Sequence, residues 1–314
     1  MTEIAAQRPT REFAEHRELL FSMVYNMLGS VADTEDVLQE TWLSWVARSR
    51  GDAAEIAHPR AYLVRIAVNK ALDRRDVILR RRETYIGPWL PEPLATADPA
   101  LREETDAADP ALRAESVSMA MLVVLETLTP LERAVFVLHE VFGYPYGEIA
   151  GILGRETDAV RQMAHRAREH VQARRPRYQA DPQTQRRVTE KFLAAQQGGD
   201  VTALLELLAP EVTLVSDAGG KGRAALRPIY GPDKIARLIT SPTVISSVPD
   251  IGIRYEWVNS DPCVVVLSDG APFAVVVLDI DPMNERIRGI YAVRNPDKLT
   301  HLVESRPQDD ARAE

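Results

Sequence analysis

The stretch from Leu128 to Arg175 decides the fold of this chain, and it reads LTPLERAVFVLHEVFGYPYGEIAGILGRETDAVRQMAHRAREHVQARR. Its start predicts a helix, because Thr129 can cap a helix, Pro130 suits the first helical position and Glu132 completes a capping box. Apolar residues then recur at helical spacing until Gly143, whose missing Cβ lets the chain leave the helix. The stretch therefore opens with an amphipathic helix.

Two further helices follow at the spacing of a helix-turn-helix. The first is predicted from about Tyr146 to Leu153, Gly154 occupies the turn, and Thr157 is the predicted N-cap of the second. The second helix presents donors along one side, where they can reach base edges and phosphates of a major groove. An ordinary helical hairpin with a solvated basic face fits the same periodicity. The basic and polar face comprises Arg155, Thr157, Asp158, Arg161, Gln162, His165, Arg166 and Arg168.

Composition limits the classes of protein to which the chain can belong. Its 314 residues predict two or three domains. The net charge of −8 argues against a protein that coats DNA through bulk electrostatics. Residues 83–126 contain nine acidic and two basic residues, so the helical segments on either side are not acidic overall.

The sequence offers no framework for a disulfide or metal site and no membrane segment. Cys263 is the single cysteine, which excludes an internal disulfide and a multi-cysteine zinc site. No apolar run is long enough to cross a bilayer, and residues 1–11 lack the apolar core of a signal peptide. We therefore expect a soluble, cytoplasmic protein without a metal or cofactor.

The N-terminal block from Phe13 to Arg82 is predicted to be helical. In the segment from Asp33 to Trp45, apolar residues form one stripe that belongs to a core. The acidic face of the same segment is either a solvated helix surface or a docking face for a basic partner helix. The apolar stripe comprises Val37, Leu38, Thr41, Trp42 and Trp45.

A second helix of this block opens at His58-Pro59 and ends in a basic tract. The tract supplies the donors and positive charge that a nucleic-acid strand needs, and Tyr62 is available for packing or stacking. Taken alone, the tract is equally typical of a solvated surface. Its donors are Asn69, Lys70, Arg74, Arg75, Arg80, Arg81 and Arg82.

The linker that follows is proline-rich from Tyr85 to Leu94. Proline fixes φ and removes backbone donors, so this segment is predicted to be extended. Trp89 either packs on its own domain or docks elsewhere in the chain, and docking elsewhere is slightly favoured. From Ala95 to Ser116 the composition indicates a mobile, solvated connector.

After Arg175 the pattern changes from helices alone to helices and strands. Helices are predicted around Phe192 and from about Val201 to Leu208. Four later segments predict strands of a mostly antiparallel sheet, which must bury one face against the helices and leave a cavity between them. The predicted fold is an α+β cone with a curved antiparallel sheet. The strands are Ile251–Val258, Cys263–Leu267, Phe273–Leu278 and Arg286–Val293.

Four segments in this order resemble the two domains of a bacterial extracytoplasmic-function (ECF) RNA polymerase sigma factor. The resemblance implies two all-α domains, a helical sigma-2 domain and a helix-turn-helix sigma-4 domain. It also implies two partners, core RNA polymerase and promoter DNA with −35 and −10 elements. The segments are Asp33–Trp45, His58–Arg75, Thr129–Arg133 and Tyr146–Ala173.

This resemblance implies a role for each helix. The Arg155–Arg168 face is expected to read the −35 element. A melting helix needs positive charge along the strand and a surface for an unstacked base. Core polymerase is expected to dock on Asp36, Gln39, Glu40 and Trp42, and the −10 element is expected to bind Arg60, Asn69, Lys70, Asp73, Arg74 and Arg75.

The C-terminal segment resembles the SnoaL-like branch of the NTF2-like superfamily. Leu214–Lys221, Asn295–Leu299 and Trp89–Glu92 resemble motifs of sigma factors that carry such a domain fused at the C-terminus. Ala218 departs from the glycine more often found there. The resemblance implies control in cis through Trp89, Leu90, Pro91, Glu92, Asp217, Gly219, Gly220, Lys221, Asn295, Pro296, Asp297 and Lys298.

A competing interpretation makes the C-terminal domain an enzyme or a small-molecule-binding module. SnoaL-like domains include isomerases and cyclases that use a buried carboxylate as general base. No spacing here selects a base and a donor, so we expect no enzyme and no catalytic residue, while a small-molecule ligand is left open. Such a site would draw on Asp217, Lys221, Tyr230, Arg254, Glu256 and Tyr291.

The predicted organisation has five parts. They are a sigma-2 domain (1–82), an acidic linker (83–116), a sigma-4 domain (117–178), a SnoaL-like regulatory domain (182–302) and a disordered tail (303–314). The predicted function is that of an ECF sigma factor, which binds core RNA polymerase and directs transcription initiation under control of its C-terminal domain.

Overall fold

The computed structural model describes residues 2–50, 56–96, 117–174, 180–222, 224–245 and 250–302. These residues fall into two compact units. The helical unit contains the described residues up to 83, residue 117 and residues 121–174, and the mixed unit contains residues 84–96, 118–120 and those from 180 onward. Most of the predicted connector and the whole predicted tail lie outside the described residues.

The helices before residue 175 include both predicted N-terminal helices and the predicted helix-turn-helix. The helix that begins after His58 continues through the whole basic tract and ends at Arg82. The helices are α1 (Thr2–Leu28), α2 (Val31–Arg50), α3 (Pro59–Arg82), α4 (Met119–Leu125), α5 (Pro130–Phe136), α6 (Tyr146–Leu153) and α7 (Thr157–Arg174).

The predicted apolar stripe of α2 forms the core between α1, α2 and α3. Val37, Leu38 and Trp45 are almost fully buried, and Trp42 is half-buried. Nε1 of Trp45 donates a hydrogen bond of 2.9 Å to the carbonyl oxygen of Pro9, so the indole is buried with its donor satisfied. Each buried side chain of this size contributes about 1.5–3 kcal/mol. This core fixes the positions of α2 and α3.

The predicted capping box is present at the start of α5. Thr129 Oγ1 accepts a hydrogen bond from the amide of Glu132 at 3.3 Å, and the Glu132 carboxylate accepts one from the amide of Thr129 at 3.3 Å. Beyond α5 the chain continues as a π-helical stretch (Val137–Val141), which the sequence does not predict. Gly143 and Gly154 follow the predicted helix ends with φ of 71° and 62°, in the left-handed region that favours glycine.

The two halves of the helical unit pack directly on each other. α3 contacts α5 and α6, and α1 contacts α5 and the π-helical stretch. The predicted domains 1–82 and 117–178 are therefore joined in one compact unit, whereas residues 84–96 of the predicted linker group with the mixed unit.

The mixed unit packs helices on a single six-stranded sheet. The helices are α8 (Pro182–Gln197), α9 (Val201–Leu207), α10 (Pro232–Ile239) and the short α11 (Pro242–Ile245). The strands are β1 (Leu208–Asp217), β2 (Ile229–Tyr230), β3 (Ile251–Val258), β4 (Asp261–Ser268), β5 (Ala271–Ile280) and β6 (Ile287–Val293). Their order in the sheet is β2-β1-β6-β5-β4-β3.

The four predicted strands are confirmed as β3 to β6, which pair antiparallel in sequence order. The sheet is mostly antiparallel, as predicted, but β1, which the sequence does not predict, pairs parallel with β6. Pro210 near the start of β1 argues against a strand. The register shifts between Leu208 and Thr213, and this irregularity accommodates the proline.

Apolar side chains fill the space between the helices and the sheet, where a cavity was expected. Phe192 of α8, Leu204 of α9, Val212 of β1 and Ile290 of β6 are at most 4% exposed and belong to one core cluster. This side of the sheet is therefore a packed core.

Candidate nucleic-acid interface and linker clasp

α7 packs on α5 and α6 through one side and leaves the predicted −35 residues on its remaining surface. Val160, Ala164 and Ala167 lie on the buried side. Gly154 makes the left-handed turn that directs the chain into α7. Arg155, Asp158, Arg161, Gln162, His165 and Arg166 are exposed, and Thr157 and Arg168 are half-buried.

Three arginines of this surface are paired with carboxylates. Arg161 donates at 2.7 Å to the aspartate three positions before it. Nε of Arg166 donates to Glu132 at 3.0 Å, and Arg168 donates to Glu140 at 2.5 Å. Because Glu132 belongs to α5 and Glu140 to the π-helical stretch, the latter two pairs connect α7 to the helix behind it.

The predicted polymerase-docking residues lie on the outer side of α2. Asp36, Gln39 and Glu40 are exposed, and Trp42 is half-buried. Leu43 is 54% exposed on the same side, since it follows Glu40 by three positions and Gln39 by four. The sequence prediction omits Leu43, although an apolar residue off the core stripe is a visible signal.

Acidic residues of α2 pair with basic residues of α3. Nε of Arg74 donates to Asp33 at 2.7 Å, and the same guanidinium bonds Asp36. Nζ of Lys70 donates to Glu40 at 3.3 Å. Two of the predicted polymerase-docking carboxylates therefore neutralise two cations that are predicted to bind the −10 strand.

Arg75 lies inside the helical unit, not on its surface. Its side chain is 2% exposed, and it donates to the carbonyl oxygen of Leu28 at 3.3 Å and to Glu126 at 2.7 Å. In this arrangement Arg75 cannot reach a nucleic-acid strand, and its assignment to the −10 site stays a prediction. Among the other −10 residues, Asn69 and Asp73 are exposed, and Arg60, Lys70 and Arg74 are half-buried.

Glu126 is bound by three arginines. Arg75 and Arg82 come from α3, and Arg133 comes from α5. Arg133 is 1% exposed and also donates to the carbonyl oxygen of Asn26 at 2.9 Å. Burial raises the pKa of Glu126, but Arg133, Arg75 and Arg82 outweigh burial and hold that pKa well below its usual range. Glu126 and its three arginines, called the arginine hub below, tie the two halves of the helical unit together.

Asp217, at the end of β1, is fully buried and binds the linker. Its carboxylate accepts hydrogen bonds from the Tyr85 hydroxyl at 2.5 Å, the Leu90 amide at 2.9 Å, Nζ of Lys298 at 2.7 Å and the Gly219 amide at 3.1 Å. Four donors satisfy this buried charge. Burial and the adjacent Asp217 carboxylate raise the pKa of Tyr85, so its hydroxyl stays protonated and remains a donor.

Lys298 holds the same linker segment from its other side. Nζ donates to the carbonyl oxygen of Leu90 at 2.6 Å and lies 3.3 Å from the centroid of the Trp89 ring, a cation–π contact. Tyr85 packs edge-on against Trp89, with ring centroids 4.7 Å apart. We call Tyr85, Trp89, Leu90, Asp217 and Lys298 the linker clasp. Through it, the linker docks on the C-terminal fold.

Two glycines allow the loop after β1 to approach its neighbours closely. Gly219 and Gly220 have φ of 58° and 74°. A Cβ on Gly219 would lie 2.5 Å from the side-chain nitrogen of Asn295, and a Cβ on Gly220 would lie 3.0 Å from Ile86. Both positions therefore require glycine. Asn295 in turn donates to the Tyr85 hydroxyl at 2.9 Å and supports the clasp.

The other predicted regulatory residues surround the clasp. Pro91 and Glu92 are buried, and Glu92 bonds His301, a contact that the sequence prediction omits. Lys221 and Asp297 form an exposed ion pair of 2.5 Å. The proline before Asp297 begins the short 3₁₀ turn that carries the clasp lysine.

The residues of the enzyme interpretation do not assemble a base and a donor around Asp217. Tyr230 is 64% exposed on the edge strand β2, and Lys221 belongs to the exposed ion pair. Arg254 and Glu256 pair with each other on β3. Burial raises the pKa of Glu256, and this effect outweighs the lowering of the pKa by Arg254. The Asp217 carboxylate is instead occupied by four donors from the linker and from its own domain.

The described ranges contain no group of three or more His, Cys, Asp or Glu residues arranged to hold a metal ion. Within the same ranges, no helix combines the length and the apolar character needed to span a membrane.

Two family models match the chain in the order of its helices. The model of Sigma-70 region 2 matches residues 13–82, and the model of Sigma-70, region 4 matches residues 118–171. The ECF RNA polymerase sigma factor SigJ of Mycobacterium tuberculosis (strain ATCC 25618 / H37Rv) is 40% identical over 229 residues, which cover 73% of this chain and 71% of SigJ. This chain belongs to the ECF RNA polymerase sigma factors.

Similarity extends along most of this sigma factor. The probable ECF RNA polymerase sigma factor SigI of Mycobacterium tuberculosis is 31% identical over 293 residues, which cover 91% of this chain and 93% of SigI. The crystal structure of the Mycobacterium tuberculosis extracytoplasmic function sigma factor SigJ matches with a TM-score of 0.68 at 32% identity, covering 93% of this chain and 98% of that chain. The predicted succession of two helical sigma regions and an α+β domain is confirmed.

Proposed function

We propose that this sigma factor binds core RNA polymerase through the outer side of α2 and recognises promoters through α3 and α7, in the cytoplasm. The observation that carries the function is the 40% identity to a sigma factor over 229 residues, with the region 2 and region 4 matches in the expected order. As a member of this family, the protein directs transcription initiation at promoter DNA.

The outer side of α2 has the composition of a binding face for a basic partner. Asp36, Gln39 and Glu40 lie one to two turns before the exposed Leu43 on the same side of α2. Complementary charge steers association, and a central apolar side chain supplies affinity once water is excluded. We assign Leu43 to the polymerase interface together with Trp42 and these three polar residues.

The two DNA-binding faces are assigned to different promoter elements. α7 is the second helix of a helix-turn-helix, which in this motif lies in the major groove and reads base edges from its N-terminal half. Its exposed donors therefore read the −35 element. Arg60, Asn69, Lys70, Asp73 and Arg74 of α3 bind the −10 strand, and Arg75 becomes available to this strand only when its contact with Glu126 breaks.

The helical unit is too compact to contact both elements at once. Elements centred about 25 base pairs apart are separated by about 85 Å of B-form DNA. A compact unit of about 130 residues has a radius of gyration of about 14 Å and is therefore about 40 Å across. The packed arrangement of α3 on α5 and α6 is thus a closed form that has to open at the promoter.

The arginine hub is the main polar contact that opening would disrupt. Arg75 and Arg82 of α3 share Glu126 with Arg133 of α5. Asn69 of α3 also donates to the carbonyl oxygen of Ile152 at 3.1 Å, so a −10 residue is engaged by α6 in the closed form. Separating a buried charged cluster is costly unless new partners replace the lost ones. Contacts with core polymerase would supply them.

Charge pairing within the helical unit also explains why the free protein should bind DNA poorly. Arg74 and Lys70 are neutralised by Asp33, Asp36 and Glu40. Affinity for the phosphate backbone depends on the number of cations free to replace counterions. When polymerase binds the carboxylates of α2, these two cations become available to the −10 strand.

The linker clasp is the proposed site of control in cis. It holds residues 85 and 89–90, directly after α3 ends at Arg82, and the linker sets how far region 2 and region 4 can separate. A clasp that restrains the linker favours the closed form, and its release favours the open form. The C-terminal domain would then modulate initiation through contacts instead of turnover, since the buried Asp217 is engaged by four donors.

The direct test adds this protein to bacterial core polymerase and measures initiation across a library of promoter fragments. We expect initiation at a subset that shares −35 and −10 elements, and no DNA footprint without polymerase. Tight, sequence-independent binding by the free protein, or no polymerase-dependent initiation at any fragment, would contradict the proposal. A turnover assay on the chain with candidate SnoaL-type substrates tests the enzyme alternative, for which we expect no activity.

A further inference from the structure

Two arginines flank the recognition surface of α7, and they are held in different ways. Nε of Arg166 donates to Glu132 Oε1 at 3.0 Å, and its side chain is 58% exposed. Nε and Nη2 of Arg168 both donate to Glu140, at 3.1 and 2.5 Å, and its side chain is 35% exposed. Among the described residues, no acceptor binds the terminal nitrogens of Arg166. Arg166 is therefore presented outward, and Arg168 is turned toward the protein.

Glu132 is itself fixed at the start of α5. Its Oε2 accepts hydrogen bonds from the Thr129 hydroxyl at 2.8 Å and from the Thr129 amide at 3.3 Å, which leaves Oε1 for Arg166. Burial opposes ionisation of Glu132, but the hydrogen bonds from Thr129 and Arg166 outweigh burial and lower its pKa. The carboxylate thus stays charged and has little freedom to rotate. The helix cap of α5 and the orientation of Arg166 depend on the same side chain.

We propose that Glu132 is a positioning residue for promoter recognition, which aims the two terminal nitrogens of Arg166 at a guanine of the −35 element. A guanidinium held at Nε can still donate two parallel hydrogen bonds to O6 and N7 of guanine, the commonest specific contact in the major groove. Fixing the long side chain before binding reduces the rotamer entropy lost in the complex. The inference rests on the proposed assignment of α7 to the −35 element.

Arg168 takes the opposite role in this scheme. Glu140 occupies two of its nitrogens, and the Tyr146 hydroxyl lies 3.4 Å from Nη2. The hydrogen bonds to Glu140 are the largest cause of the raised pKa of Arg168, and they keep the guanidinium charged. Arg168 joins α7 to the π-helical stretch and contributes charge toward the DNA backbone without reading a base. The pair Glu140–Arg168 is therefore a matched control for the pair Glu132–Arg166.

The test measures binding of the reconstituted holoenzyme to promoters in which each −35 base pair is changed in turn, over a range of salt concentrations. Arg166→Ala is expected to reduce discrimination at one guanine by about 5- to 150-fold, the range for loss of a bidentate base contact. Glu132→Gln retains a residue suited to the capping box and is expected to reduce discrimination at the same base pair by a smaller factor. The double variant should discriminate no worse than Arg166→Ala alone.

The control variants separate positioning from charge and from folding. Glu140→Gln and Arg168→Ala are expected to change affinity about equally for all −35 sequences, and thermal unfolding of every variant is measured in parallel. If Glu132→Gln tightens binding uniformly or leaves base preference intact, Glu132 only screens charge and the inference is overturned. If the parent holoenzyme shows no preference among −35 variants, the proposed function of α7 fails instead.

Should Glu132→Gln unfold α5, Arg166→Lys decides the question. Lysine keeps the positive charge at this position, but its ammonium group lacks the planar guanidinium that donates two parallel hydrogen bonds. A bidentate, positioned Arg166 predicts lost discrimination with an unchanged salt dependence. Retained discrimination in Arg166→Lys would overturn the inference.

Discussion

Asp217 and Lys298 depend on each other more than most ion pairs, because both side chains are removed from water. Their exposed fractions are 0% and 7%. Removal of one charge from such a pair leaves the other buried without compensation. The neighbouring pair of Lys221 and Asp297 has side chains that are 49% and 65% exposed, and pairs of that kind contribute at most about 1 kcal/mol. One domain therefore contains a buried and an exposed pair that can be compared directly.

Asp217→Ala is expected to lower the free energy of unfolding by about 3–5 kcal/mol, because it leaves the ammonium of Lys298 buried and removes the acceptor for Tyr85 and Leu90. Asp297→Ala, the matched control, should cost less than about 1 kcal/mol. Urea unfolding of the intact chain, followed by tryptophan fluorescence, measures both losses. Equal losses for the two variants would mean that the clasp pair is no more important than a surface pair.

Trp89→Ala is expected to alter promoter-dependent transcription while polymerase binding persists. The indole contacts Lys298 and Tyr85, so its loss loosens the clasp without touching α2. Asp217→Ala acts on the same lysine, and the two changes should therefore be non-additive. Run-off transcription and core-binding assays on the single and double variants provide the measurements. Strict additivity, together with parental activity after deletion of the residues beyond Tyr178, would make the domain a passenger.

The linker clasp contains residues that the sequence predicts and residues that it does not. Family motifs identified Trp89, Asp217 and Lys298 as a group, and the structure brings them together. Tyr85 and His301 were missed, because nothing local indicates that Tyr85 meets a partner 132 positions away. Arg75 was placed on the surface for a related reason, whereas the structure buries it against Glu126. A basic tract does not reveal which of its arginines faces a buried carboxylate.

Helices were predicted better than strands because their signals are local. The capping box at Thr129, the glycine after α6 and the proline at the start of α3 each specify a boundary within a few residues. β1 depends instead on a parallel partner about 75 positions later, and its proline obscures the strand pattern. The π-helical stretch is a similar case, since the apolar spacing before Gly143 predicts a helix but does not signal i→i+5 hydrogen bonds.

Leu43→Ala is expected to weaken binding to core polymerase by about 5- to 30-fold, because an apolar side chain that the interface removes from water would be lost. Stability should barely change, because Leu43 is already 54% exposed. Leu226→Ala serves as the control, since Leu226 is 67% exposed and lies outside the helical unit. Competition against a labelled sigma factor measures the affinity. If both variants bind like the parent protein, Leu43 lies outside the interface.

The packing of region 2 on region 4 is the feature that no pattern in the sequence indicated. Each half of the helical unit has its own apolar stripe, and either could have stood alone. The contact instead depends on Glu126, an acidic residue between α4 and α5 whose three arginine partners no local pattern indicates. Its partners come from α3 and α5, so the hub exists only once both halves have folded and met.

Opening of the helical unit can be measured by energy transfer between dyes on α2 and α7. Ala47→Cys and Gln172→Cys place exposed thiols on these helices, and the native Cys263 is fully buried and should remain unlabelled. Energy transfer is expected to fall when core polymerase binds. Glu126→Gln should lower it before polymerase is added, because the three arginines then repel one another without the carboxylate charge.

The surface pair of Arg186 and Glu190 provides a control for this measurement. Both side chains are at least half exposed, and Glu190→Gln should leave energy transfer unchanged. A holoenzyme that initiates transcription with the energy transfer of the free protein would show that the closed form is already competent for promoter recognition.

Main-chain atoms of Leu90 make two of the clasp contacts, its amide to Asp217 and its carbonyl oxygen to Lys298. The C-terminal domain therefore resembles a receptor whose peptide ligand is covalently tethered to it, at an effective concentration of about 1 mM. If the segment bound with an intrinsic dissociation constant of about 10 μM, the receptor would be almost fully occupied. The free energy that favours the bound segment would nevertheless be only about 2.7 kcal/mol. Occupancy of this kind responds to modest competing affinities, and a free peptide of residues 84–96 would displace the tethered segment only near millimolar concentrations.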